Sequence, residues 1–87
     1  MERRRVVTNR TQRLMLVFVE PEGWDCWLRP GESAELRAVI HSPTADFEIV
    51  DNPDGITVWQ SNDMETVSVW QENREVQIGY QRPARWP

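Results

Sequence analysis

Apolar residues fall along this chain in eight short runs, each closed by Pro, Gly, Asn or Asp. The runs cover residues 4–8, 14–20, 24–28, 33–41, 47–50, 56–60, 66–71 and 75–81. Several alternate with a period of two, the pattern of a strand half-buried on one face. In the fourth, Ala34, Leu36, Ala38 and Ile40 face one way, and Glu35, Arg37 and His41 face the other, with Val39 the exception. Val76, Ile78 and Tyr80 alternate with Gln77, Gly79 and Gln81 in the same manner. Residues 14–19 are apolar in both phases, which predicts a central strand covered on both sides. No window long enough for a helix keeps a 3.6-residue period free of Pro and Gly.

The breaks carry turn chemistry. Asn52-Pro53-Asp54-Gly55 and Glu20-Pro21-Glu22-Gly23 put Pro second and Gly fourth, as a type I turn prefers. Arg29-Pro30-Gly31-Glu32 has Pro and Gly at its centre, the type II pattern, in which Gly supplies a positive φ. Eight strands in one flat sheet would leave an apolar face in water, so they must form two packed layers or close on themselves. The chain is therefore expected to be all-β, a small antiparallel β-sandwich or flattened barrel of seven or eight strands. Its core is expected to include Leu16, Phe18, Leu36, Ile40, Phe47, Ile49, Ile56, Val58, Val67, Val69, Val76 and Ile78.

A length of 87 residues implies a single β domain over 1–87, with a basic N-terminal segment and a Pro-rich C-terminal tail. A core this small is thin, and five tryptophans help to fill it, each burying about 150–250 Å² when packed. All ten basic residues are Arg, which excludes Schiff-base lysine chemistry. Charge is polarised along the chain. Residues 1–13 hold five Arg against Glu2, whereas 14–75 hold three Arg against thirteen carboxylates. An acidic body repels phosphate backbones, so no nucleic-acid partner is expected. Cys26 is the only cysteine, so no intrachain disulfide can form. Arg3-Arg4-Arg5 is followed by only Val6 and Val7, not by the apolar core of a signal peptide. The longest apolar run is far shorter than the ~20 residues a membrane helix needs. A cytoplasmic location and no membrane partner follow as expectations. The Asn9-Arg10-Thr11 glycosylation pattern then reads as chance.

Most catalytic chemistries lack their parts. One Cys and one His cannot supply a structural zinc site. Asp51-Asn52-Pro53-Asp54-Gly55 resembles a calcium loop, but Asn62 stands where the closing Glu should be. His41 lies on the polar face of its run, and Cys26 shares a face with Trp24 and Leu28, which suits an inert core thiol. No phosphate-binding Gly-rich loop is present. No catalytic residue, cofactor or metal is therefore expected, and the protein is expected not to be an enzyme. A minimal hydrolase built on His41 and carboxylates is the competing alternative.

One surface invites a function. With Ile56, Val58, Val67 and Val69 pointing inward, Thr57, Trp59, Ser68 and Trp70 point outward. The short connection between these runs predicts a hairpin, which would set Trp59 and Trp70 on one face, extended by Gln77 and Gln81. Three occupants of that face are open: another strand of the same domain, a second copy, or a ligand. The expected function is a non-enzymatic binding or protein-interaction module with a protein partner or homo-oligomer, with a lectin-like, carbohydrate-binding role as the alternative.

The motifs Asn9-Arg10-Thr11, Val19-Glu20-Pro21 with Gly23, Leu28-Arg29-Pro30-Gly31-Glu32, Phe47-Glu48-Ile49 and Asp54-Gly55-Ile56-Thr57-Val58-Trp59 form an order that resembles short, uncharacterised actinobacterial all-β proteins. That resemblance covers most of the chain and agrees with its lack of Lys, but it implies no activity and no site residues. The Leu-x-Pro-Gly-Glu turn before a strand is also similar to turns of immunoglobulin-like β-sandwiches, a likeness of fold alone.

Overall fold

The computed structural model describes residues 1–76, and these form eight strands and no helix. They are β1 (Glu2–Thr8), β2 (Met15–Glu20), β3 (Trp24–Leu28), β4 (Ser33–Ile40), β5 (Glu48–Asn52), β6 (Gly55–Trp59), β7 (Met64–Gln71) and β8 (Arg74–Val76). Two separate four-stranded sheets result: sheet A in the order β1-β4-β7-β8, and sheet B in the order β3-β2-β6-β5. Among the described residues each sheet keeps two open edges, and the two sheets form a small sandwich with no closed barrel. Five pairings are antiparallel, and β2 with β6 is parallel.

The chain alternates between hairpins and crossings. β2–β3, β5–β6 and β7–β8 are hairpins, and every other connection moves from one sheet to the other. This overturns the expected hairpin between the sixth and seventh runs. Both edges of β6 are occupied, by β2 and β5, so β7 has no place beside it. Residues 60–63 instead bridge the ~10 Å between layers, a reach that four extended residues supply.

The inward phase of each strand builds one core. Leu36, Ile40, Phe47, Ile56, Val58, Val67 and Val69 are buried as expected, and Ile49 and Val76 pack against them partly buried. Leu16 and Phe18 are the exceptions: they are half-buried on the outer side of sheet B, and Met15, Val17 and Val19 point inward instead. Alternation could not decide a strand that is apolar in both phases. The neighbours decide it, because Val17 stands between buried Cys26 and Ile56, and Val19 pairs with buried Val58. β2 is central, as expected, but no described strand covers its outer face. Ile78 of the expected core lies outside the described residues.

Two turns are as the sequence predicts. Gly31 takes φ +84° while the Glu32 N–H donates to the Arg29 carbonyl. Pro53-Asp54 forms the two-residue loop that pairs Asn52 with Gly55. The crossings are pinned by Asn9, the one fully buried polar side chain among the described residues. Its Nδ2 donates to the carbonyls of Arg13 (2.7 Å) and Leu28 (2.9 Å), and its Oδ1 accepts from the Thr11 N–H and hydroxyl. Its backbone pairs with Gly31 and Glu32. One side chain thus ties the β1–β2 crossing to the β3–β4 crossing.

Candidate functional site

Strand phase gives each sheet an outer face, and the two faces differ chemically. On sheet A, Arg4, Val6, Glu35, Arg37, Val39, Ser68 and Trp70 point outward. Here Trp70 is already engaged. Its indole N–H donates to Ser68 Oγ at 2.8 Å, and the Arg37 guanidinium sits 4.1 Å from its ring centroid, a cation–π contact. Arg37 in turn bonds Glu35, and Arg4 bonds Glu2. His41, exposed, pairs with Glu65 at 3.1 Å. The charges of this face largely neutralise one another.

Sheet B presents the opposite. Its strands contain four carboxylates (Glu20, Asp25, Glu48 and Asp51) and no cationic residue. Register lays its outer face out in rows across β2, β6 and β5. Glu20, Trp59 and Glu48 form the first row; Phe18, Thr57 and Val50 the second; Leu16, Gly55 and Asn52 the third. Trp59 is 43% exposed and Val50 41%, and both stand on strands whose other face is core. Directly opposed strand residues lie about 5 Å apart, so two carboxylates flank the Trp59 ring. Among the described residues neither Glu20 nor Glu48 forms an ion pair. Asn52 Nδ2 donates to Thr57 Oγ1, which holds the second and third rows together. Beside Phe18, the Oδ1 atom of Asp25 is buried with no hydrogen-bond partner.

The predicted site is therefore divided. Trp59 and Thr57 lie on sheet B and Trp70 and Ser68 on sheet A, so the two tryptophans share no surface. Gln77 and Gln81 lie outside the described residues. What the sequence reading missed is the company Trp59 keeps. Half of that signal was present: the two-residue turn at Pro53-Asp54 fixes the hairpin register and, counted back, sets Glu48 opposite Trp59. The other half was not, because the parallel pairing that brings Glu20 and Phe18 alongside joins strands with three others between them in sequence.

At one end of the sandwich an open cleft of about 770 Å³ is lined by the loops around Gln12, Pro30 and Pro53. It mixes Arg13 with Asp51 and Asp54 and contains no nucleophile next to a base. Cys26, on the inward phase of β3, is buried, and desolvation, aided by the charge of Asp25, pushes its thiol up to about 12. Among the described residues no group of three or more His, Cys, Asp or Glu gathers as a metal site would require. No helix of the described residues is long and apolar enough to cross a membrane.

No family model, curated protein or solved structure matches the chain.

Proposed function

We propose that this protein is a non-enzymatic interaction module that takes a protein partner on the outer face of sheet B. The observation that carries this reading is the Glu20–Trp59–Glu48 row backed by Phe18 and Val50: an exposed aromatic and apolar patch rimmed by unpaired carboxylates. Such patches mark binding surfaces, and a large ring with hydrogen-bonding neighbours is a favoured anchor. Trp70 is no equivalent, since Arg37 and Ser68 already occupy its ring face and its N–H. The carbohydrate-binding reading draws on the same row, because a sugar ring can stack on Trp59 while Glu20 and Glu48 accept its hydroxyls. A protein partner is preferred, for the carboxylates favour a cationic ligand over a neutral one.

The hydrolase alternative is disfavoured by the position of its parts. His41 does pair with a carboxylate, Glu65 at 3.1 Å, but both side chains stand in open solvent at the end of β4, where nothing excludes water around a bound substrate. A cytoplasmic location suits a lone thiol held in the core. Kinship with the short actinobacterial proteins rests on motif order, and the likeness to immunoglobulin-like sandwiches on two packed sheets.

Chemical-shift mapping tests the proposal. Titration with a peptide library and with oligosaccharides is expected to move the Trp59 indole N–H and the Thr57 and Val50 amides, and to leave Trp70 unmoved. Peptides acting at the sheet A face instead would overturn it, and so would ester or phosphate turnover abolished by His41→Ala. A response to oligosaccharides alone would transfer the site to the lectin-like reading.

A further inference from the structure

Besides its face, sheet B offers an edge. Among the described residues β5 pairs only with β6, and its other side is open. The pairing of Asn52 with Gly55 across a two-residue loop fixes which backbone groups bond inward. Asn52, Val50 and Glu48 exchange hydrogen bonds with β6, so the N–H and C=O groups of Ile49 and Asp51 point to the free side. Neither residue finds a backbone partner elsewhere. β3, an edge of equal length, lies two strands from Trp59, whereas β5 is its immediate neighbour, and the β1 edge of sheet A differs. Along β1, Arg3 reaches the carbonyls of Ala45 and Pro43, and Arg5 approaches Asp46, so the 43–46 loop is drawn against that edge.

Resting on the interaction-module reading, we propose that β5 is a docking edge for an extended, arginine- or lysine-bearing segment of another protein, which adds to sheet B as a fifth strand. A strand seated there would place alternate side chains beside Glu48 and Val50, in line with the Trp59 row and two strands, about 10 Å, from it. A cation opposite Glu48 meets a carboxylate with no ion-pair partner among the described residues, and a long arginine or lysine side chain can lean across it toward the Trp59 ring. An apolar residue two positions on covers Val50. Main-chain bonds to Ile49 and Asp51 supply affinity, and the alternating cation and apolar residue supply selectivity. A second copy of this chain is a poor source of that cation. Of the arginines on its described strands, Arg3, Arg4, Arg5 and Arg37 are engaged within their own molecule, and Arg74 shares the inward phase of Val76 on β8. Glu48 and Asp51 have a further effect at an open edge: they repel acidic strands and discourage pairing between copies.

The probe is a synthetic peptide of alternating arginine and valine, compared with a glutamate–valine peptide and with an arginine–valine peptide whose alternate backbone nitrogens are methylated. The unmodified basic peptide is expected to slow hydrogen exchange at the Ile49 and Asp51 amides and to shift the Trp59 indole signal. Backbone methylation, or Glu48→Arg in the protein, is expected to weaken binding about tenfold or more, the size of one lost main-chain or charge pairing. Methylation leaves the protein untouched, so this comparison does not depend on any variant folding. If the methylated peptide binds equally and still shifts Trp59, strand addition is overturned while the interaction face stands. If the basic peptide leaves Ile49 and Asp51 unprotected, or the acidic peptide binds as well, the docking edge is likewise overturned. If no peptide moves Trp59, both readings fall.

Discussion

Asn9 contributes through hydrogen bonds that no apolar residue can replace. Its amide donates to two carbonyls and its oxygen accepts twice, all within a site sealed from water. Asn9→Leu would fit the volume but strand the Leu28 carbonyl, and a buried polar group left unpaired costs about 1–3 kcal/mol. Urea denaturation is expected to show a loss at the upper end of that range or beyond, because two crossings loosen together. Glycosylation at this position is excluded by burial, so the sequence pattern Asn9-Arg10-Thr11 is the trace of a structural tie, with Thr11 as a direct partner of Asn9. Nothing in a single sequence separates that role from chance. Cys26 was more legible, since its phase with Leu28 already placed it inward. Its thiol keeps its proton to about 12 in the folded chain, whereas the unfolded chain releases it near the ordinary value of 9.0. Between those values the unfolded state binds fewer protons, so stability falls as pH rises, by about 1.4 kcal/mol per pH unit. Stability measured from pH 8 to 11 should decline less steeply in Cys26→Ala, and a thiol reagent should label Cys26 only after unfolding.

Among the elements, strand existence was written plainly in the apolar runs, and every run has its strand within a residue or two at the ends described. Partnership was not. Adjacent strands β6 and β7 look like a hairpin because their connection is short, yet a short connection serves equally to cross between layers. The parallel contact of β2 with β6 leaves one local trace, Gly55. A Cβ built there would stand 1.9 Å from the Leu16 carbonyl oxygen, a backbone atom that cannot rotate away. Gly55→Ala should therefore force β2 from β6 and cost about 3 kcal/mol or more. Fluorescence-monitored denaturation checks this, and a loss below 1 kcal/mol would mean that the two strands tolerate separation. In the other sheet the β4–β7 pair has its own irregularity at Thr66, whose φ of +53° coincides with the register shift opposite Arg37 and Val39. A β-branched residue in that region is strained, and Thr66→Gly is expected to raise the midpoint of thermal unfolding.

On the scale of the whole molecule, charge polarisation along the sequence becomes polarisation between layers. The arginines of the strands all fall in sheet A, and sheet B carries acids alone. The sequence showed the basic start and acidic body, but the sorting into two sheets depends on the crossings. Those crossings also decide when the fold can form. Sheet B draws its strands from residues 15 to 59, and sheet A draws β4 from within that span and β1, β7 and β8 from its two sides. A chain emerging from the ribosome exposes the apolar faces of β2, β3 and β4 long before β6 and β7 arrive to cover them. Sheet B has its four strands by residue 59, but its inward face has no complete opposing layer until β7 and β8 follow. Folding is thus a late, all-at-once event in synthesis, and until then the nascent chain depends on the ribosome surface or a chaperone to shield it. A chain stopped after residue 62 should lack cooperative unfolding by circular dichroism, and a truncated product that unfolds cooperatively would show that sheet B can close without β7.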